Sequence, residues 1–442
     1  MKKIFIFSIM LAVSAVVDAQ GTNPYIAKAQ DFLAKLQAGK FEEASAFFDE
    51  SVKDKINESV LKKAWGQLSK QLGTLNKTGI PRTEEKKGFT IVFIPCYFDN
   101  ATLDMKLPFK ESMKAYGFMM VPHIDNQAYT LPEYADPSKL EEQTITIQTG
   151  TYKLPGIYVH PKNPGKKIPV LILVHGSGPN DMDESIFGNK PFKDLAYGLA
   201  AKNIGVIRYD KRTKTYGAQM AERTNITLEN ETIEDAISAI KLAKQMPDAD
   251  TSKIFVIGHS LGAMAAPQIA KYEGGQIAGI ILMAGPARHL EELLLEQSKY
   301  LESKNPSAKK KKEIKELEKQ VDLVHSGGIS PKTPSEQLPM GQAAGYWIYL
   351  NNYNQTDVAA KLVIPMLVLQ GERDCQVTMT DYELWKKALA KKANAAFKSY
   401  PKLNHLFEEG EGPGLSAPSD YETSSHIPGY VIDDVSDWIV KQ

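Results

Sequence analysis

The stretch that most constrains the fold is an apolar run that stops at two glycines with a serine between them. Residues 253–270 read KIFVIGHSLGAMAAPQIA. The run before Gly258 predicts a strand, and the alanine-rich segment after Gly262 predicts a helix. A tight turn from strand to helix strains the backbone of the central residue, and the glycines remove side chains that would collide there. The stretch therefore predicts a nucleophile elbow that exposes Ser260 above a sheet.

Strand patterns alternate with helix patterns on both sides of this elbow. Alternating units of this kind predict a mostly parallel sheet with helices on both faces, so the fold class of residues 144–442 is α/β. The predicted strands lie at 170–176, 204–210, 253–258, 277–285 and 364–371, and the predicted helices lie near 190–202, near 232–245 and from Leu261 onward.

One charged segment, residues 286–350, interrupts the alternation. Its helical spacing predicts a helical cap inserted into the α/β domain, and the tetralysine at 309–312 reads as a solvated helix face. Several apolar positions in its first helix require a surface to cover, which we expect to be the substrate pocket. These positions are Leu290, Leu293, Leu294, Tyr300 and Leu301.

The N-terminal part of the chain has a different spacing of apolar residues. Residues 24–75 carry helical spacing, and short alternating runs from Gly88 onward predict an antiparallel meander. Helices followed by a small sheet predict a compact α+β domain over residues 22–133. The polar, proline-containing stretch YADPSKLEEQ at 134–143 is the expected linker to the second domain.

The first 19 residues predict a secretory signal peptide. Lys2 and Lys3 precede an apolar run of 14 residues, and small residues surround Ala19. An uncleaved anchor is the weaker alternative, because about 20 apolar residues are needed to span a bilayer. Cleavage near Ala19 would place the protein outside the cytoplasm, secreted or periplasmic, without a membrane anchor.

The charge balance and the cysteine content of the chain argue against certain binding partners and against a disulfide bond. The full chain has 53 basic and 53 acidic residues, and removal of residues 1–19 leaves 51 and 52, so no charge excess favours nucleic acid or an anionic membrane. The only cysteines, Cys96 and Cys375, fall in different predicted domains, which favours free thiols over a disulfide bond. The sequence leaves open whether the protein is a monomer or a homodimer.

A serine nucleophile needs a base, and the base needs an orienting acid. Asp374 follows one predicted strand and His405 follows the next, 31 residues further along the chain. The order Ser260, Asp374, His405 is the one expected of an α/β-hydrolase. His426, in a late loop, is the rival base, and Asp381, in the next predicted helix, is the weaker candidate acid.

The negative oxygen that forms when serine attacks a carbonyl requires two fixed N–H donors. The backbone N–H of Leu261, directly after the serine, is the first expected donor. The second should come from the loop VHGSGPND after the first long strand, where glycines let the backbone turn inward. Ser177 is the preferred residue for this oxyanion hole, with Gly178 as the alternative.

Residues 145–442 resemble the secreted bacterial α/β-hydrolases of the carboxylesterase type, which are related to serine aminopeptidase-like hydrolases. The segments that carry the resemblance are LVHGSGPND, GNKPFKDLAYGLA, IRYDKRTKTYG, IGHSLGAMAAP, QGERDCQV and NHLF. The resemblance implies an α/β-hydrolase fold and hydrolysis of small or medium acyl esters. The N-terminal unit resembles the cone-shaped, ketosteroid-isomerase-like α+β domain that precedes some of these esterases, and implies no activity.

Two other functions remain open from the sequence. A serine exopeptidase uses the same triad but anchors a charged peptide terminus, for which Asp181, Asp183 and Glu184 are candidates; solvated loop carboxylates are the simpler interpretation. A non-catalytic binding protein would not need all three triad groups. No HExxH motif, no His/Asp cluster and no GxGxxG fingerprint occurs, so neither metal nor cofactor is predicted. The expected partner is a small ester substrate.

Overall fold

The computed structural model describes residues 23–86, 88–99, 101–123, 129–221, 223, 226–304 and 306–442. The chain divides into two compact units, with the boundary between residues 124 and 125. The predicted signal peptide at 1–19 lies outside the described residues. In the ranges just given, no helix is both long enough and apolar enough to cross a membrane.

The N-terminal unit is an α+β domain in which helices precede an antiparallel sheet. Strand β3 pairs with β1, β2 and β4, and β5 pairs with β4. The apolar face of α1 packs Phe32 and Leu36 into a core that also contains Phe48. The helices are α1 (Pro24–Gln37), α2 (Phe41–Ser45), α3 (Glu50–Lys53) and α4 (Glu58–Leu72), and the strands are β1 (Leu75–Thr78), β2 (Arg82–Lys86), β3 (Phe89–Phe98), β4 (Thr102–Phe109) and β5 (Met119–Pro122).

The second unit is built on a sheet of eight strands within the described residues. The strands lie in the spatial order β6, β7, β9, β8, β10, β11, β12, β13. The first two neighbouring pairs are antiparallel and the others are parallel, which confirms the mostly parallel sheet. The strands are β6 (Leu140–Thr149), β7 (Tyr152–Pro161), β8 (Ile168–Val174), β9 (Gly205–Tyr209), β10 (Ala249–His259), β11 (Gly279–Met283), β12 (Met366–Gly371) and β13 (Ala395–Tyr400).

Helices cover both faces of this sheet, because its central strands are apolar on both sides. Phe192 and Trp438 lie in the core on one face, and Ile240 and Trp385 lie in the core on the other. A π-helical turn, Glu229–Ile233, leads into one helix. The helices are α5 (Pro191–Ala201), α6 (Arg212–Thr215), α7 (Gly217–Ala221), α8 (Glu234–Ala243), α9 (Leu261–Glu273), α10 (Leu290–Lys304), α11 (Ala308–His325), α12 (Ala344–Asn351), α13 (Gln355–Lys361), α14 (Met379–Ala388) and α15 (Gly429–Lys441).

The segment predicted as a helical insertion contains α10, α11 and α12 and lies between β11 and β12. Leu290 and Leu293 are buried in the core of the second unit, and Leu294 packs against the same core. Leu301 is 40% exposed. The first turns of α10 therefore anchor the insertion to the sheet, and its C-terminal part leaves that core.

The predicted linker at 134–143 is misplaced. Residues 140–143 begin β6, which pairs along its whole length with β7, and the hydroxyl of Tyr134 donates to the carbonyl of Ile427 at 2.7 Å. The N-terminal domain accordingly ends near residue 124 rather than 133. The reason is that β6 is an edge strand. Its exposed polar residues alternate with buried Ile145 and Ile147, so its polar start looks like a linker.

Candidate active site

Ser260 occupies the sharp turn between β10 and α9. Its backbone has φ 54° and ψ −117°, a left-handed conformation that is costly for a residue with a side chain. A Cβ on Gly258 would lie 2.2 Å from the carbonyl oxygen of Gly262, and one on Gly262 would lie 2.1 Å from that of Val174. Neither position can hold any other residue without moving the backbone. The strained serine and its two required glycines agree with the predicted elbow.

His405 and Asp374 form a buried pair on neighbouring loops. Asp374 follows β12 and His405 follows β13, and the His405 Nδ1 lies 2.7 Å from Oδ2 of Asp374. The other carboxylate oxygen accepts the backbone N–H groups of Gln376 at 2.8 Å and Val377 at 3.0 Å. A carboxylate held in this way keeps the proton of the imidazole on Nδ1, which leaves Nε2 available as a base.

The rival base and the rival acid each have other partners. His426 Nδ1 lies 3.1 Å from Oδ1 of Asp194, and this hydrogen bond raises the pKa of His426. Asp381 accepts the N–H groups of Ala287 at 3.0 Å and Arg288 at 3.1 Å, at the start of the insertion. His426 and Asp381 are thus each hydrogen-bonded to partners outside the pair of His405 and Asp374.

The loop after β8 packs directly against the serine. A Cβ on Gly176 would lie 3.2 Å from the Cβ of Ser260. The N–H of Gly176 donates to Oε1 of Glu184 at 2.6 Å, so it is not available to a substrate. In the part of the chain that the structure describes, the next N–H, that of Ser177, has no hydrogen-bond partner. Leu261 is the first residue of α9, where N–H groups have no partner within the helix.

A buried ion pair, which nothing in the local sequence indicates, joins this loop to the elbow. The His259 Nδ1 lies 2.9 Å from Oε2 of Glu184, and its Nε2 donates to the carbonyl of His405 at 2.8 Å. Burial alone would lower the pKa of His259 and raise that of Glu184. Their mutual attraction outweighs burial, so the pKa of His259 is raised and that of Glu184 is lowered. The pair of Glu184 and His259 thus connects the Gly176 loop, the elbow and the loop of His405.

The interpretation of the acidic loop residues as solvated was wrong for two of the three. Asp183 is 8% exposed and Glu184 is 3% exposed. Asp183 contacts the guanidinium of Arg208 and lies 2.9 Å from Nζ of Lys190. The carboxylate of Asp181 accepts the N–H groups of Asp183 at 3.2 Å and Ser185 at 2.9 Å. A buried acid needs partners inside the protein, and these acids already have them.

Neither cysteine is bonded to another cysteine. Cys96 and Cys375 are both free and buried. Burial raises the pKa of Cys96 to about 12 and also raises the pKa of Cys375, so both thiols are protonated at neutral pH and are poor nucleophiles. Among the residues that the structure describes, no group of three or more His, Cys, Asp or Glu side chains is arranged to hold a metal ion.

Comparison with known proteins identifies the family. The family described as serine aminopeptidase S33 matches residues 170–410, which is more than half of the chain. Esterase EstD from Thermotoga maritima is 35% identical over 410 residues, which cover 93% of this chain and 94% of the relative. The chain belongs to the serine aminopeptidase S33 family. This S33-family protein is thereby a serine hydrolase with the α/β-hydrolase fold, as the sequence predicted.

The N-terminal domain matches a second family, described as a protein of unknown function, over residues 29–118. Among solved structures, Est1E from Butyrivibrio proteoclasticus aligns with a TM-score of 0.45 and 16% identity, over 67% of this chain and 98% of that one. Dipeptidyl peptidase 4 from Porphyromonas gingivalis aligns with a TM-score of 0.44 and 15% identity, over 82% of this chain and 44% of that one. At this level of similarity neither structure bears on the substrate.

Proposed function

We propose that this S33-family enzyme hydrolyses carboxylic esters, with Ser260 as nucleophile, His405 as base and Asp374 as the acid that orients the base. The observation that carries the assignment is the buried pair of His405 and Asp374, 2.7 Å apart, on the loops after β12 and β13. The carboxyl ends of parallel strands meet at one edge of a sheet, and the strained Ser260 lies at the end of β10 on the same edge.

The proposed reaction has two halves. The Ser260 oxygen bonds to the carbonyl carbon of the ester while its proton passes to Nε2 of His405, and the carbonyl oxygen becomes an oxyanion. The N–H groups of Leu261 and Ser177 donate to this oxyanion, and His405 returns the proton to the departing alcohol. Water then gives a proton to His405 and attacks the acyl-enzyme. His405 returns that proton to the Ser260 oxygen as the carboxylic acid leaves. Asp374 stabilises the imidazolium in both halves.

Two observations favour esters over peptides with a free amino terminus. The 35% identical relative from Thermotoga maritima is an esterase. An aminopeptidase needs a carboxylate for the substrate's ammonium group, but Asp181, Asp183 and Glu184, the acids nearest the oxyanion loop, are all held by other groups of the protein. Binding an amine at Asp183 or Glu184 would require breaking buried pairs, which is costly, and Asp181 already accepts two backbone N–H groups.

The test compares two substrate series on the same purified protein. We expect turnover of p-nitrophenyl acetate and butyrate, and little or no turnover of aminoacyl p-nitroanilides. The variant Ser260→Ala serves as the control and should be inactive on both series. Faster turnover of the anilides would make the protein an exopeptidase, and equal rates from wild type and Ser260→Ala would remove the serine mechanism altogether.

We also propose that the protein is exported, secreted or periplasmic, after cleavage near Ala19. The support is the sequence pattern of Lys2 and Lys3, the apolar run that follows them, and the small residues around Ala19. Sequencing the N-terminus of the protein recovered from culture medium and from periplasmic extract tests this. A mature chain that begins near Gln20 is expected, and an intact Met1 in the cytoplasmic fraction would contradict the proposal.

A further inference from the structure

The peptide group that joins Gly176 to Ser177 is held by a buried cation. The ammonium of Lys211 donates to the carbonyl oxygen of Gly176 at 2.8 Å, and the amide of Asn180 donates to the same oxygen at 3.2 Å. A peptide group is planar and trans, so its C=O and N–H point in opposite directions. Whatever fixes the carbonyl of Gly176 therefore also fixes the direction of the Ser177 N–H.

Lys211 is itself held firmly in place. It follows β9, it is 2% exposed, and its Nζ lies 2.6 Å from Oε1 of Glu231 in the π-helical turn before α8. The N–H of Gly176 is bound on its other side by Glu184. The N–H of Gly176 thus donates to a buried anion, and its C=O accepts from a buried cation. Single-turn π-helices often occur at functional sites, which fits this placement of Glu231.

We propose that Lys211 is a positioning residue for the oxyanion hole, acting through the carbonyl of Gly176 on the N–H of Ser177. This inference rests on the proposed function and deepens it. The charge-assisted bond holds the peptide in the orientation that points the Ser177 N–H at the oxyanion. It also polarises the peptide, because a bond accepted at one end strengthens the donor at the other end.

The expected loss of kcat follows from the contribution of one N–H donor to the oxyanion hole. Deleting one donor of an oxyanion hole lowers kcat by about 10² to 10³-fold. Lys211→Met leaves the Ser177 N–H present but loosely oriented, so we expect kcat on p-nitrophenyl acetate to fall by about 10 to 100-fold. KM should change little, because the ground-state carbonyl relies less on the hole than the oxyanion does. Lys211→Arg, which keeps the positive charge, should recover part of the activity.

Arg212→Met is the matched control. Arg212 is the neighbouring buried cation, at 1% exposed, and its guanidinium donates to Glu234 and Asp235 and not to Gly176. Both variants remove a buried cation from an ion pair, so both should lower Tm. Only Lys211→Met should show the loss of kcat at constant KM.

A transition-state analogue supplies a second readout. The Ser260 oxygen adds to the carbonyl carbon of a trifluoromethyl ketone while its proton passes to His405, and the resulting oxyanion lies in the hole, so the inhibition constant should rise in Lys211→Met by about the same factor as kcat falls. If Lys211→Met does not fold, Glu231→Gln keeps the lysine and removes its counter-charge. That variant should show a smaller loss with the same pattern.

Kinetics of Lys211→Met within about twofold of wild type, or an unchanged inhibition constant for the ketone, would overturn the inference. A variant with wild-type kcat and raised KM would overturn it equally. Ser260→Ala separates this failure from failure of the proposed function. An inactive Ser260→Ala beside an active Lys211→Met would reject only the role of Lys211, whereas an active Ser260→Ala would reject the serine mechanism.

Discussion

The edge of the sheet that carries the site and the insertion between β11 and β12 use charged residues in opposite ways. At the edge, the ionisable side chains of the site lie in buried pairs. In the insertion, most ion pairs lie on the surface. The buried pairs are Asp374 with His405, Glu184 with His259 and Lys211 with Glu231, and the exposed pairs include Lys299 with Glu318, Lys309 with Glu313 and Lys319 with Glu316.

This difference determines how much a substitution in each region lowers the free energy of unfolding. Removing one partner of a buried pair costs about 3–5 kcal/mol, because it leaves an uncompensated charge inside the protein. An exposed pair contributes about 0–1 kcal/mol. Among the described residues of the insertion, Glu291 is the one fully buried carboxylate; it lies 2.9 Å from Nε2 of His325 and joins α10 to α11. Substitutions in the buried pairs of the site should therefore destabilise the protein more than substitutions on the insertion surface.

The largest expected effect is at the nucleophile. Ser260→Ala should lower kcat for ester hydrolysis by about 10⁴-fold or more, because no other group can form the acyl-enzyme. The fold should persist, since alanine keeps the Cβ that this turn already accommodates. Circular dichroism and steady-state kinetics check both points, with Ser252→Ala, an exposed serine in β10, as the control. Retention of more than about a tenth of wild-type activity would reject the assignment.

Substitutions of His405 and His426 distinguish the two His/Asp pairs, His405 with Asp374 and His426 with Asp194. His405→Ala should match the loss in Ser260→Ala, because the base is removed. His426→Ala should keep kcat within a few-fold of wild type but lower stability, because buried Asp194 loses a hydrogen-bond partner, which costs about 1–3 kcal/mol. Kinetics and thermal denaturation of both variants decide the matter. An inactive His426→Ala beside an active His405→Ala would reverse the assignment of the base.

A smaller effect is expected in the insertion. Part of α10 and the loop that follows Asp374 enclose a cavity of about 190 Å³, and Leu301 lines it. Leu301→Ala should widen the cavity and raise kcat/KM for octanoate relative to acetate esters by a few-fold. One extra methylene in an apolar pocket changes binding by about 1–3 kcal/mol at most. The residues around the cavity are Gln297, Tyr300, Leu301, Cys375, Gln376, Pro418 and Tyr421.

Leu294→Ala, seven residues earlier in α10, is the control. Leu294 packs against the core of the second unit, so its loss should lower Tm and leave the chain-length preference unchanged. If Leu301→Ala also lowers Tm and leaves the preference unchanged, the whole of α10 is packing and does not select the substrate.

The smallest expected effect is a pH dependence of stability. Burial raises the pKa of Glu408 to about 8, whereas an unfolded glutamate has a pKa of about 4.3. The folded state therefore holds a proton that the unfolded state releases, and Glu408 makes stability fall as pH rises from about 4.3 to about 8. Glu408→Gln removes this pH-dependent component of the free energy of unfolding.

Thermal denaturation near pH 5 and near pH 8 measures this component. The fall in Tm between the two pH values should be smaller in Glu408→Gln than in wild type. Exposed Glu409→Gln is the control and should behave like wild type. Equal falls in all three proteins would show that the buried carboxyl does not change its protonation on unfolding.

Local patterns predicted the strand and helix on either side of Ser260 and most of the other strands, because each depends on residues close together in sequence. Gly258 and Gly262 are required by contacts within a single turn and its neighbouring strand. The pairing of Glu184 with His259 was not predictable, because the two residues are 75 positions apart and neither stands out in its own segment. The start of β6 was missed for a related reason, since its polar residues make sense only beside β7.

The most direct test of the account is to trap the acyl-enzyme. Wild-type protein is mixed with p-nitrophenyl acetate, quenched in acid during turnover, digested and examined by mass spectrometry. One added acetyl group is expected, on the peptide that contains Ser260. Steady hydrolysis with no acetylated Ser260, or with the acetyl group on another residue, would contradict the account.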